Sequence, residues 1–87
     1  MNVNWLGQSY DLNNIQHIKY IDSALRRTNI YQLSDEVLIE YVWTLEVLIE
    51  EVIIASKLTT QYDTDLTLLA FEADKIRDGC IREIQSR

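Results

Sequence analysis

Four groups of residues carry side chains able to do chemistry: His17, Cys80, the pair Glu46 and Glu50, and the run Tyr62-Asp63-Thr64-Asp65-Leu66. Glu46 and Glu50 stand one helical turn apart, a spacing at which two carboxylates share a face. A di-metal centre in a helical bundle also requires Glu-x-x-His pairs. His17 is the only histidine, and no glutamate precedes it by three positions. The same count rules out a zinc site built on several imidazoles. The run YDTDL lacks the glycine and the closing glutamate of a calcium loop, and reads as a helix start. Cys80 has no second cysteine to pair with and falls on an apolar stripe, which makes it a packing residue. His17 lies one position from such a stripe and is assigned a solvated or capping role. Glycines stand only at 7 and 79, so no phosphate-cradling glycine loop can be written. The expectation is a non-enzymatic chain, with no catalytic residue, no metal, no cofactor and no small-molecule substrate.

The elements that would position these residues follow from period and punctuation. An 87-residue chain is long enough for one domain and too short for two. It contains no proline, which favours long helices over many short strands. Residues 1–12 read as a β-hairpin, because Val3 and Trp5, then Tyr10 and Leu12, alternate with polar neighbours. A turn at Gly7-Gln8 of type II′ would place Trp5 opposite Tyr10 and Val3 opposite Leu12. Helix 14–27 is carried by Ile15, Ile18, Ile21 and Leu25, with Asn13 or Asn14 as its cap. Helix 35–58 follows Ser34 as cap, with Asp35 and Glu36 where the helix dipole favours acid. Leu33 and Leu38 form a hydrophobic staple at its entry. Thr59, Thr60 and Gln61 mark a turn, and a third helix occupies 64–86.

That third helix is amphipathic. Leu66, Leu69, Ala73, Ile76, Cys80 and Ile84 form its core stripe. Its other faces pair Glu72 with Lys75, Asp74 with Arg77, Asp78 with Arg82, and Glu83 with Arg87. Each pair contributes about 0.2–0.5 kcal/mol to a solvated helix. Phe71 and Leu68 fall off the core stripe and are assigned to the hairpin or a partner. Gly79 inside the helix implies close packing or a break.

Helix 35–58 is different, because it has two apolar sides. Leu38, Tyr41, Val42, Leu45, Leu48, Ile49, Val52, Ala55 and Ser56 form a broad core sector on a helical wheel. The opposite sector carries Glu36, Glu40, Glu46, Glu50 and Glu51, yet Ile39, Trp43, Val47 and Ile54 interrupt it. A helix apolar nearly all round belongs at the centre of an assembly. One short helix, one long helix and a small hairpin are too few to surround it. Each large side chain left in water forgoes about 1.5–3 kcal/mol, and contiguous apolar patches commonly mark interaction sites.

Three covers are open for this stripe: the hairpin face of Trp5 and Tyr10, a second copy of the chain, or a foreign protein. The fold class expected is mainly α, a three-helix domain of one short and two long antiparallel helices with an N-terminal hairpin, assembling as a dimeric helical bundle. The interface expected comprises Ile39, Trp43, Val47 and Ile54, steered by Glu40, Glu46 and Glu50.

Charge narrows the partner. Fourteen acids against eight bases give a net charge of −6. Phosphate backbones are bound by lysine and arginine, so nucleic acid is not an expected partner. The oiliest segment is broken by Glu46, Glu50 and Glu51, which excludes a membrane span. One cysteine and an N-terminus without a signal-peptide pattern point to the cytoplasm. The function expected is protein binding, as a homodimer that engages a partner protein through the second helix. A rival is an acidic inhibitor, of immunity or anti-defence type, that occupies a basic or nucleic-acid-binding site. A further rival is a dimeric DNA-binding regulator using Arg26 and Arg27.

Overall fold

The computed structural model describes residues 1–58 and 61–87. Its elements are β1 (Asn2–Trp5), β2 (Gln8–Asp11), α1 (Ile15–Arg27), a 3-10 turn at Ile30–Gln32, α2 (Asp35–Leu58) and α3 (Asp63–Ser86). Three helices and an antiparallel N-terminal hairpin are therefore the architecture. Of the turn expected at 59–61, Thr59 and Thr60 lie outside the described residues.

The hairpin forms, but one residue earlier than its glycine suggests. The observed register pairs Val3 with Tyr10 and Trp5 with Gln8. The corner is Leu6-Gly7, at φ 50° and 81°, instead of Gly7-Gln8. Two consecutive positive φ angles suit a type I′ turn, whose twist matches that of the strands. Leucine enters this region at a cost of about 1–2 kcal/mol. Each expected partner moves by two positions, so the alternation of side chains is preserved. Val3, Trp5 and Leu12 still share one face and are buried, while Tyr10 is half-buried.

Asn14 caps α1, its Oδ1 accepting from the Gln16 N–H at 2.9 Å. Ile18, Ile21 and Leu25 are buried on its inner face, with Ile15 half-buried beside them. The Thr28 hydroxyl donates to the Ala24 carbonyl and lies 3.2 Å from the Tyr41 hydroxyl, tying the end of α1 to α2. Ser34 caps α2, accepting from the Val37 N–H at 3.3 Å. α3 begins at Asp63, one residue before the expected start, with Tyr62 at the cap position.

α2 and α3 run antiparallel along their full length. Ile49 and Ile53 lie beside Leu66 and Ala70 at one end, and Ile39 and Trp43 beside Ile81 and Ile84 at the other. Arg87 Nη1 closes the second end by donating to Asp35 Oδ1 at 2.8 Å. α1 packs chiefly on α3, β1 on α2, and β2 on α1. The hairpin and α1 thus make one layer against one side of the α2–α3 pair. The core lies between the layers, where Leu38, Leu45, Leu48, Val52 and Leu66 are fully enclosed. Burial of each contributes about 1.5–3 kcal/mol.

Gly79 sits within unbroken helix. A Cβ there would meet Ile30 Cδ1 at 3.3 Å, so the glycine lets the 3-10 turn approach α3. Close packing, not a break, explains this residue.

Candidate interaction surface

The second apolar stripe of α2 is in solvent. Trp43 is 65% exposed, Val47 53%, Ile54 47% and Ile39 41%. The hairpin does not lie over them, because Trp5 faces the core and is 2% exposed. Besides α3, only β1 packs extensively on α2 among the described residues.

α3 divides the stripe into parts with different surroundings. Ile39 and Trp43, with Val42, form one wall of a hollow of 230 Å³ closed on the other side by Ile81, Ile84 and Gln85. Towards the far end, Ile49, Ile53 and Ser56 face Leu66, Ala70 and Phe71 across a second hollow of 290 Å³. Val47 and Ile54 line neither hollow, so the four expected interface residues do not converge on one depression. Both hollows open on one flank of the α2–α3 pair.

Helical spacing places Glu46 and Glu50 between Trp43 and Ile53 on the α2 lip of that flank, three or four residues apart at each step. The α3 lip has a matching order. Phe71, Asp74, Asp78 and Ile81 follow at intervals of three or four. Since the helices are antiparallel, both lips run from apolar through acidic to apolar.

The ionic state of the two lips differs. Asp74 is paired with Arg77, and Asp78 with Arg82 at 3.0 Å. Glu36, Glu40, Glu46, Glu50 and Glu51 form no ion pair among the described residues. α2 holds six carboxylates against one lysine, Lys57, and so carries −5 of the chain's −6. Asp35 is paired with Arg87 at the end of the helix, so the uncompensated charge belongs to the five glutamates, which lie among the exposed apolar side chains.

The remaining residues considered from sequence have structural places. The Asp11 N–H donates to His17 Nδ1 at 2.8 Å, and the His17 ring meets Tyr10 edge-on at 5.9 Å. His17 therefore fastens the hairpin to α1 from a half-buried position, and is not a helix cap. Tyr20 stacks on Tyr10 at 5.7 Å and extends that contact. Cys80 is fully enclosed in the core, and desolvation by burial raises its thiol above the usual range. Burial likewise raises the phenol of Tyr41, opposed by its hydrogen bond with Thr28. Glu72 does not pair with Lys75; it lies 3.6 Å from Arg26, which also bonds Asp22 at 2.9 Å. Two acids thus hold Arg26, one of the two arginines on which a DNA-binding reading of α1 depends.

The contribution of α3 was not visible in the sequence reading of the interface. Ile84 belongs to the core stripe by spacing, yet it is only partly buried and lines a hollow. Ile81, next to the enclosed Cys80, joins it. Phe71 and Leu68 are the α3 residues whose positions off the core stripe gave a sequence signal; both are exposed, and Phe71 lines a hollow of this flank while Leu68 does not.

No three His, Cys, Asp or Glu side chains among the described residues are grouped to hold a metal ion. Among the described residues, no helix is long and apolar enough to cross a membrane. No protein-family model, no curated protein and no solved structure matches the chain.

Proposed function

We propose that this chain is a small, non-enzymatic protein-interaction module whose docking surface is the exposed flank of α2 together with the adjoining lip of α3. The observation that carries the reading is the 65% exposure of Trp43 beside an apolar hollow, on a helix whose opposite side already fills the core. Tryptophan is enriched among the few residues that dominate binding energies, particularly where its ring can enter a desolvated centre. The remaining apolar positions supply area, and the glutamates form a charged rim that favours a partner of complementary sign.

Two occupants suit such a surface, a second copy of the chain or a foreign protein. A second copy would bury the stripe in the manner of a dimeric bundle, but would bring two helices of charge −5 together. The unpaired glutamates favour the second reading, in which the chain acts as an acidic inhibitor and covers a basic site of its target.

Site-specific photo-crosslinking in the cell of origin tests the proposal. A photoreactive residue at position 43 should give a discrete covalent adduct, whereas the same residue at exposed Ser23 on α1 should not. Equal labelling from both positions, or none from position 43, would remove the case for a docking surface here.

A further inference from the structure

The two hollows and the acids between them define the kind of partner as well as its place. We infer that the α2–α3 flank receives a basic amphipathic helix from a foreign protein, anchored by two large apolar side chains about three helical turns apart. The inference rests on the docking surface proposed above and adds the chemistry of its occupant.

Spacing comes first. The hollow lined on α2 by Ile39, Val42 and Trp43 and the hollow lined by Ile49, Ile53 and Ser56 are centred about eleven residues apart, or roughly 16 Å at the rise of an α-helix. A helix lying along the groove covers the same distance in about eleven of its own residues, and position i+11 returns to the face of position i. A single helical face can thus place one apolar side chain in each hollow. This is helix-in-groove recognition, in which anchors on one stripe enter apolar depressions.

Charge selects among such helices. Between the hollows Glu46 and Glu50 stand on one lip and Asp78 on the other, with Asp74 at the edge of the second hollow. Arg77 and Arg82 already engage the two aspartates, so the uncompensated charge belongs to Glu46 and Glu50. A partner with lysine or arginine about four and seven residues after its first anchor sets those charges over the glutamates, on the same face as the anchors. A second copy of this chain presents carboxylates there instead, and like charges so placed oppose association.

The test uses a synthetic alanine-rich helical peptide with leucine anchors about eleven residues apart and two lysines at the intervening positions. Binding to the full chain is followed by fluorescence anisotropy of a label on the peptide, at low and at high salt. The basic peptide should bind, weaken with salt, and lose about tenfold in affinity to the double variant Glu46→Gln, Glu50→Gln, which alters only exposed positions. Trp43→Ala should weaken it further, and circular dichroism verifies that each variant is folded. A peptide with glutamates in place of the lysines should bind at least tenfold more weakly.

Equal binding of the two peptides would overturn the basic-helix inference and leave the docking surface standing. Concentration-dependent self-association abolished by Trp43→Ala, with neither peptide bound, would assign the flank to a second copy and also overturn it. A monomer that binds neither peptide and gives no adduct from position 43 would defeat the inference and the proposed function together.

Discussion

The two indoles of the chain occupy opposite environments: Trp5 is enclosed between the hairpin and α2 at 2% exposure, and Trp43 on α2 is 65% exposed. Each has one polar and one apolar neighbour in sequence, Asn4 and Leu6 for Trp5 and Thr44 and Val42 for Trp43, and only the direction of packing separates them. Trp5 completes the core. Trp43 adds nothing to it.

That division predicts contrasting substitutions on adjoining positions of α2. Leu45, fully enclosed, should lose about 2–5 kcal/mol of stability on replacement by alanine. Trp43→Ala should change stability by no more than about 0.5 kcal/mol, as surface substitutions usually do. Urea unfolding followed by far-ultraviolet circular dichroism gives both values, and a large loss for Trp43→Ala would return the stripe to the core.

The link between His17 and the hairpin is testable by removing the acceptor and keeping a ring. His17→Phe retains an aromatic edge for Tyr10 but offers nothing to the Asp11 N–H, which His17 Nδ1 accepts at 2.8 Å. The part-buried amide then lacks its partner, and the expected loss is about 1–2 kcal/mol. Faster hydrogen exchange at the Asp11 amide, with exchange in α3 unchanged relative to global stability, is the accompanying signature.

Gly79 predicts a change of sign with side-chain size. Alanine adds a methyl that meets only the flexible end of Ile30, at 3.3 Å, while it raises helix propensity by about 1 kcal/mol. Gly79→Ala should therefore raise the melting temperature slightly. Gly79→Leu should displace the 3-10 turn at Ile30–Gln32 and destabilise by about 1–3 kcal/mol.

Cys80 should be inert while the chain is folded. Burial raises its thiol pKa, so the native thiolate population at mildly alkaline pH is below that of a free cysteine, and no reagent reaches the enclosed sulfur. An aromatic disulfide reagent should label one thiol per chain in denaturant and react only at the rate of unfolding in buffer. Rapid labelling of the native protein would contradict the burial.

The helices were legible because their apolar residues recur at helical period, and α2 was read with both its termini in place. The hairpin was legible in its buried face and not in its corner. A glycine-first turn is the rule for Gly7-Gln8, and nothing local announces that Leu6 will accept a left-handed conformation. The apolar stripe of α2 was read correctly as surplus to the core. Its partners on α3 were not, because Ile81 and Ile84 differ from core residues only in which side of the α2 axis they reach, and that depends on how the two helices lie against each other. His17 was missed for a similar reason: its partner is a backbone amide on another element.

The most direct measurement is acrylamide quenching of Trp43 fluorescence in a single-tryptophan variant, Trp5→Phe, at dilute concentrations where sedimentation shows a monomer. Trp5→Phe removes a buried indole N–H that has no hydrogen-bond partner among the described residues, which offsets part of the lost packing and suits the variant to this use. An indole in open solvent gives a red-shifted emission and quenching near that of free tryptophan, and that is the predicted result. A blue-shifted, weakly quenched Trp43 in the dilute monomer would show that the chain covers its own stripe, and the docking surface would not exist.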